Sequence, residues 1–114
     1  MVKSNIDKNA RQAESWTTGC VIVNYNTPNI ISRAVQSIKN IVDEIIIVDG
    51  SDMRNPSYIE CYELELFNNN VSVFHTGYNI GHGKGLNFGI DKLNTDLIIC
   101  MDSDAVVIDD NIIN

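Results

Sequence analysis

No apolar run in the sequence exceeds five residues, the longest being Leu97-Ile98-Ile99-Cys100-Met101. A membrane-spanning helix needs about 20, so none is expected. Residues 1–18 are polar and aperiodic. They lack the apolar stretch of roughly 7–15 residues that a secretory signal carries. They read as an N-terminal arm of a cytoplasmic chain. Cysteine is sparse: Cys20, Cys61 and Cys100 are scattered and form no CxxC, which fits reduced core thiols better than a disulfide framework or a zinc site. Basic residues are scarce too. Eight Lys and Arg against fifteen Asp and Glu give a net charge of −7. An acidic chain does not suit a general nucleic-acid binder, which needs a basic face against phosphate. A small phosphorylated ligand stays compatible, because a metal ion or a few local cations can reverse the sign of one site.

What is present is globular. Hydrophobic residues make up 44% of the 114, and the mean hydropathy is −0.06. That length allows one small domain or part of a larger one. Cys20 to Val23 is a short β-branched run, the pattern of a strand buried on both faces. Thr27-Pro28 reads as a helix start, followed by apolar residues at Ile31, Ala34, Val35, Ile38, Ile41 and Val42 at helical spacing. Ile45 to Val48 is a second strand, ending in the turn-forming Asp49-Gly50-Ser51-Asp52. Asn55-Pro56 opens a second helix to about Phe67, with Ile59, Tyr62 and Leu66 as its apolar face. Val71 to Phe74 is a third strand. A third helix is expected in the second half of the stretch Gly77–Gly89, with Leu86, Ile90 and Leu93 on one face. Leu97 to Met101 is the fourth strand. Strands alternating with helices at this spacing predict an α/β fold: a Rossmann-like, open, mostly parallel sheet with helices on both faces.

In such a sheet, ligands bind beyond the carboxyl ends of the strands. Those ends are polar here: Asn24-Tyr25-Asn26, Asp49 to Asp52, His75, and Asp102-Ser103-Asp104. Asp102 and Asp104 are hard oxygen donors one residue apart. Such a pair suits Mg²⁺ or Mn²⁺, which take one or two carboxylates together with substrate phosphates. The plainer reading is two solvated turn acids. Five of the seven glycines lie between Gly77 and Gly89, where backbone could approach a phosphate or a helix could pack tightly. The stretch is not a P-loop, since Tyr78 and Gly85 stand where Gly and Ser or Thr are required. It is not a dinucleotide fingerprint either, since Leu86 and Phe88 stand where glycine is required. Asp49 could accept from a ribose or a base N–H, or simply cap a turn. Tyr25 could stack on a base, or lie half-buried. Lys84 could pair with a diphosphate, or stay solvated. His82 is a candidate phosphate contact.

Four blocks together carry a resemblance. Val21 to Asn26, Ile45 to Ser51, Asn79-Ile80-Gly81 with Gly85 to Ile90, and Leu97 to Asp104 are similar to the N-terminal half of family 2 glycosyltransferases of the GT-A fold. The resemblance covers about residues 19–108. It implies transfer of a sugar from a nucleotide-diphosphate donor, commonly with inversion, using Mg²⁺ or Mn²⁺. By matching position, Val23, Asn24 and Tyr25 would line the base and ribose site, and Asp49 would accept from the base, typically uracil N3–H. Gly81 and Lys84 would lie near the base or diphosphate. Asp102 and Ser103 would face ribose and metal, with Asp104 the main metal ligand. Val23-Asn24 replaces the family's common Pro-Thr, and the second block is shortened to Asp49-Gly50-Ser51.

Residues 19–114 are therefore expected to be the donor-binding half of a GT-A domain. A UDP-sugar is the expected ligand, and the whole enzyme would serve a glycan or lipid-linked acceptor, with a place at the membrane periphery open to it. No residue is assigned as the base that deprotonates the acceptor, so this half is expected to be inactive alone. Self-association through exposed sheet surface is also expected. The alternative is a non-catalytic α/β interaction or regulatory domain that kept the sheet and lost the ligand. A nucleotidyltransferase would need a glycine-rich basic loop after the first strand, where Asn24 to Thr27 stand.

Overall fold

The computed structural model describes residues 2–4, by backbone alone, and residues 15–108. Along the chain run β1 (Val2–Ser4), β2 (Thr18–Asn24), α1 (Ile30–Ile38), β3 (Glu44–Asp49), α2 (Pro56–Phe67), β4 (Val71–His75), α3 (His82–Lys92) and β5 (Leu97–Asp102). The sheet order is β1-β5-β2-β3-β4. β2, β3, β4 and β5 are mutually parallel, as expected. The addition is β1, which pairs antiparallel with β5, Val2 opposite Ile99. Part of the expected arm thus extends the sheet; residues 5–14 of it, and residues 109–114 at the other end, lie outside the described residues.

The β-branched runs are buried on both faces, and the pleat sorts them. Cys20, Ile22, Ile45, Ile47 and Val71 turn toward Ile31, Ala34, Val35 and Ile38 of α1 and Cys61 and Leu64 of α2. Val21, Ile46, Val48 and Ile98 turn the other way, toward Leu86, Phe88 and Ile90 of α3. Successive strands first step β2 to β3 to β4, then return past β2 to β5. Crossovers of one hand place α1 and α2 on one face, and the reversal sends α3 to the other. The reversal point, between β2 and β5, is where a ligand crevice is expected.

Two local readings change. α1 does not start at Thr27-Pro28. Its N-cap is Asn29, at φ 69°, and Ile41 and Val42 lie past its end. The Thr27 hydroxyl instead turns inward and donates to the side-chain Oδ1 of Asn24. α2 starts as expected, with Asn55 accepting from the Ser57 N–H at 2.9 Å and Pro56 in the first turn. Its buried face, however, is Ser57, Cys61 and Leu64, while Ile59, Tyr62 and Leu66 are exposed. The polar end of the sheet selects the small polar face of the helix. α3 begins at His82, in line with a helix over the second half of Gly77–Gly89, so Gly83, Lys84 and Gly85 lie inside it.

Close approach explains two of those glycines. A Cβ on Gly89 would come within 2.4 Å of a Val21 methyl, and one on Gly85 within 2.8 Å of both Val23 methyls. They cost helix propensity, about 1 kcal/mol each against Ala, and let α3 lie directly on β2. Cys20 and Cys61 are buried in the core, as expected, and Cys100 is half-buried. Among the described residues no helix is long and apolar enough to cross a membrane.

Candidate functional site

Parallel register brings three polar strand ends into one row. Asn24 is opposite Asp49, and Asp49 is opposite His75. Their side chains share the α1/α2 face, because they continue the alternation of Ile22, Ile47 and Val73. The Asn24 amide donates to Ser57 Oγ at 2.8 Å and Asp49 Oδ1 at 3.1 Å. The Ser51 N–H donates to the same Oδ1 at 3.2 Å. Asp49 Oδ2 lies 2.9 Å from His75 Nδ1. The imidazole is stacked on Tyr58 of α2, with ring centroids 4.0 Å apart. Burial, with the nearby charges of Asp49 and Glu60, pushes the Cys61 thiol up out of the ordinary range.

This row differs from the sequence expectation for Asp49. Its side chain has no exposed surface, and both oxygens are engaged by protein groups. The reason lies in the shortened block. A Cβ on Gly50 would sit 2.6 Å from the Tyr78 carbonyl oxygen, so the backbone after β4 lies directly over the end of β3. Thr76 N–H donates to the Asp49 carbonyl at 2.9 Å and secures that crossing. Asn26 and Ser51 tie the neighbouring loops together through an N–H to Oγ bond of 2.8 Å.

The other face of the same edge holds the remaining candidates. Val23 is opposite Asp102, and by the pleat both point toward α3. Asp102, 73% exposed, lies 3.8 Å from His82 Nε2 at the start of α3. Ser103 and Asp104 form the turn that follows, and Asp104 is exposed. Gly81, at φ 93°, is the N-cap of α3, and Lys84 is exposed on its first turn. Tyr25 is exposed at the end of β2. Past Asp104 the chain turns back across α1, where the Val107 N–H donates to Ser37 Oγ at 3.0 Å.

The fold therefore gathers Val23, Tyr25, Gly81, Lys84, Asp102, Ser103 and Asp104 at the β2/β5 crevice and α3, and sets Asn24 and Asp49 in the covered row. Sequence reasoning did not find the parts of Ser51, Ser57 and His75. For Ser51 and His75 the only signal was position, a polar residue at or just after a strand end; Ser57, in the first turn of α2, carried none.

Residues 20–113 match glycosyl transferase family 2. The chain belongs to that family. It is 36% identical over 86 residues to the UDP-Gal:alpha-D-GlcNAc-diphosphoundecaprenol beta-1,3-galactosyltransferase of Escherichia coli, covering 71% of this chain and 30% of that protein. Two solved structures share the fold. Mannosyltransferase PcManGT from Pyrobaculum calidifontis, in complex with GDP-Man and Mn²⁺, superposes with a TM-score of 0.68 at 16% identity, over 84% of this chain and 30% of that one. S. aureus TarS gives 0.64 at 21% identity, over 79% and 28%. The chain thus spans about a third of the length of these relatives. The fold is GT-A.

For a family 2 chain, the question is whether the crevice suits a divalent cation. Among the described residues no three His, Cys, Asp or Glu side chains converge as a closed metal cage. Asp102 and Asp104 are exposed carboxylates. A pair of hard, open oxygen donors fits a cation that completes its shell with substrate phosphates.

Proposed function

We propose that this chain is the donor side of a family 2 glycosyltransferase, holding a nucleotide-diphosphate sugar along the carboxyl edge of the sheet. The observation that carries the reading is the register of Val23 with Asp102. It puts the ends of β2 and β5, which lead into Tyr25 and into Ser103 and Asp104, side by side at the point where strand order reverses and the α3 N-terminus arrives. Asp102 and Asp104 would hold Mg²⁺ or Mn²⁺, and Lys84 and the Gly81 cap lie on the same side. When bound, the cation supplies charge to the diphosphate oxygens as the sugar leaves. Tyr25 offers a ring face to the base. Transfer with inversion to a glycan or lipid-linked acceptor belongs to the whole protein. The chain alone binds donor without turnover, because deprotonating the acceptor needs a base that none of its assigned residues supplies. The E. coli relative's UDP-Gal donor and diphosphoundecaprenol-linked acceptor favour a UDP-sugar and a lipid-linked acceptor.

Calorimetric titration of UDP with and without Mn²⁺ tests this. Mn²⁺-dependent binding that is lost in Asp104→Ala supports it; binding unchanged in that variant removes the metal assignment. The burial of Asp49, whose two oxygens are held by protein groups, favours the second reading, an interaction domain that lost its ligand. That reading requires no shift in melting temperature with nucleotide or metal.

A further inference from the structure

We propose that the chain carries a second ligand site, for a neutral carbohydrate, at the end of the sheet opposite the donor edge. An open cavity of about 500 Å³ lies where α1 and α2 both end. Four carboxamides, Asn40, Asn68, Asn69 and Asn70, line it together with Lys39 and the Phe67 ring. Asn70 leads directly into Val71, and β4 then runs five residues to His75 at the carboxyl edge. That is about 16 Å of strand, so the cavity is separate from Asp102 and Asp104. The inference goes beyond the donor-side reading and does not depend on it.

Two of the four carboxamides have a structural task. Asn68 Nδ2 donates to the Leu64 carbonyl at 2.9 Å and closes the end of α2. Asn70 Nδ2 donates to the Lys39 carbonyl at 2.8 Å and ties its turn to the end of α1. These bonds fix the wall of the cavity. The other two carboxamides have no such task. Asn40 and Asn69 are exposed, and among the described residues neither side chain makes a hydrogen bond. Phe67 is 75% exposed at the last position of α2.

The lining selects a ligand by its chemistry. Small-molecule sites of about 300–1,000 Å³ are mostly apolar, whereas this lining is mostly carboxamide, so its ligand is polar. No carboxylate, imidazole or thiol lines it, so it offers no side-chain set for a metal ion. Lys39 is its one charge, and its Nζ lies 3.4 Å from Asn68 Oδ1. The carbonyl ends of α1 and α2 both point to this region and offset that charge. A phosphate group is therefore not favoured. A carboxamide donates and accepts at once, as a hydroxyl does. Carboxamides beside an open aromatic ring match a ligand with hydroxyls at its rim and C–H groups on its face. A pyranose has that pattern.

The test titrates the ¹⁵N-labelled 114-residue chain with lactose, cellobiose and N,N′-diacetylchitobiose, followed by its amide resonances. At least one sugar should shift the side-chain amides of Asn40 and Asn69 and the backbone amide of Phe67, with a Kd of about 1 mM. The backbone amides of Lys84 and Ser103 should stay in place. Phe67→Ala and Asn69→Ala change exposed positions and should leave the melting temperature unchanged. Each should weaken the sugar by about fivefold. No shift at the cavity with any of the three sugars overturns the proposal. So does an affinity unchanged in both variants, or an equal response of Asn40 and Asn69 to inorganic pyrophosphate. UDP with Mn²⁺ separates the two sites. Sugar shifts that persist in its presence support a separate cavity site, and displacement of the sugar by UDP overturns it. Failure of UDP itself to bind overturns the donor-side reading alone.

Discussion

Glu60 joins two helices through one carboxylate. From α2 it accepts the Asn29 N–H at 2.6 Å and the Ser32 N–H at 3.1 Å, supplying the cap that the Asn29 side chain does not provide. Glu60→Ala should cost about 1–2 kcal/mol in urea unfolding, as loss of a helix cap does. Cys20 makes a prediction of opposite character. Burial, with a smaller effect from Cys100, pushes its thiol from 9.0 up to about 12. Above pH 9 the unfolded chain therefore binds fewer protons than the folded one, and stability falls as pH rises. The fall is at most ~1.4 kcal/mol per pH unit for this thiol. Unfolding curves between pH 8 and 11 should show a shallower decline in Cys20→Ala. At this scale the sequence was readable where chemistry is local, as in the Asn55 cap. Asp49 was not. Whether a strand-end acid is open depends on Tyr78, whose backbone crosses Gly50 from 28 residues on in the sequence.

At the scale of elements, the strands were legible because β-branched runs buried on both faces are unbroken apolar stretches. Helix faces were less so. The spacing of Ile59, Tyr62 and Leu66 predicts a core face, yet α2 buries Ser57, Cys61 and Leu64. Ser57 accepts from the Asn24 amide across the interface, and an apolar face there would leave that amide with Asp49 alone as a close oxygen acceptor. α3 packs by the glycines between its apolar flanks. Gly89→Ala should destabilise by about 1–3 kcal/mol through overpacking against Val21, net of its gain in helix propensity. Gly83→Ala meets nothing within 4 Å and should stabilise by about 0.5–1 kcal/mol. Chemical denaturation of the two variants side by side checks both signs. If both stabilise, the contact of α3 with β2 is looser than the structure has it.

For the whole molecule, donor binding should appear as stability. A ligand that binds only the folded state at 100 times its dissociation constant adds ~2.7 kcal/mol. UDP with Mn²⁺ should therefore raise the melting temperature of the wild type by several degrees and leave Asp104→Ala unmoved. The acidic balance of −7 bears on the same experiment. Two of those carboxylates stand at the crevice, so diphosphate alone should bind weakly and cation plus diphosphate together should bind well. The exposed Ile59, Tyr62, Leu66 and Phe67 on α2 lie on the outer surface of the α1/α2 layer and take no part in this site.

By itself the sequence determined the alternation of strands and helices, the parallel sheet, the family, and the polar strand ends from which a site could be built. These follow from local patterns: periodicity, turn residues and short blocks in fixed order. The tertiary structure decided how those ends are divided. The side-chain period of two places Asn24, Asp49 and His75 in one row on the α1/α2 face and turns Val23 and Asp102 toward α3. It added the edge strand β1 and closed Asp49 beneath the Tyr78 backbone. Each depends on register between strands and on close approach between segments distant in sequence. Neither is written in any one segment.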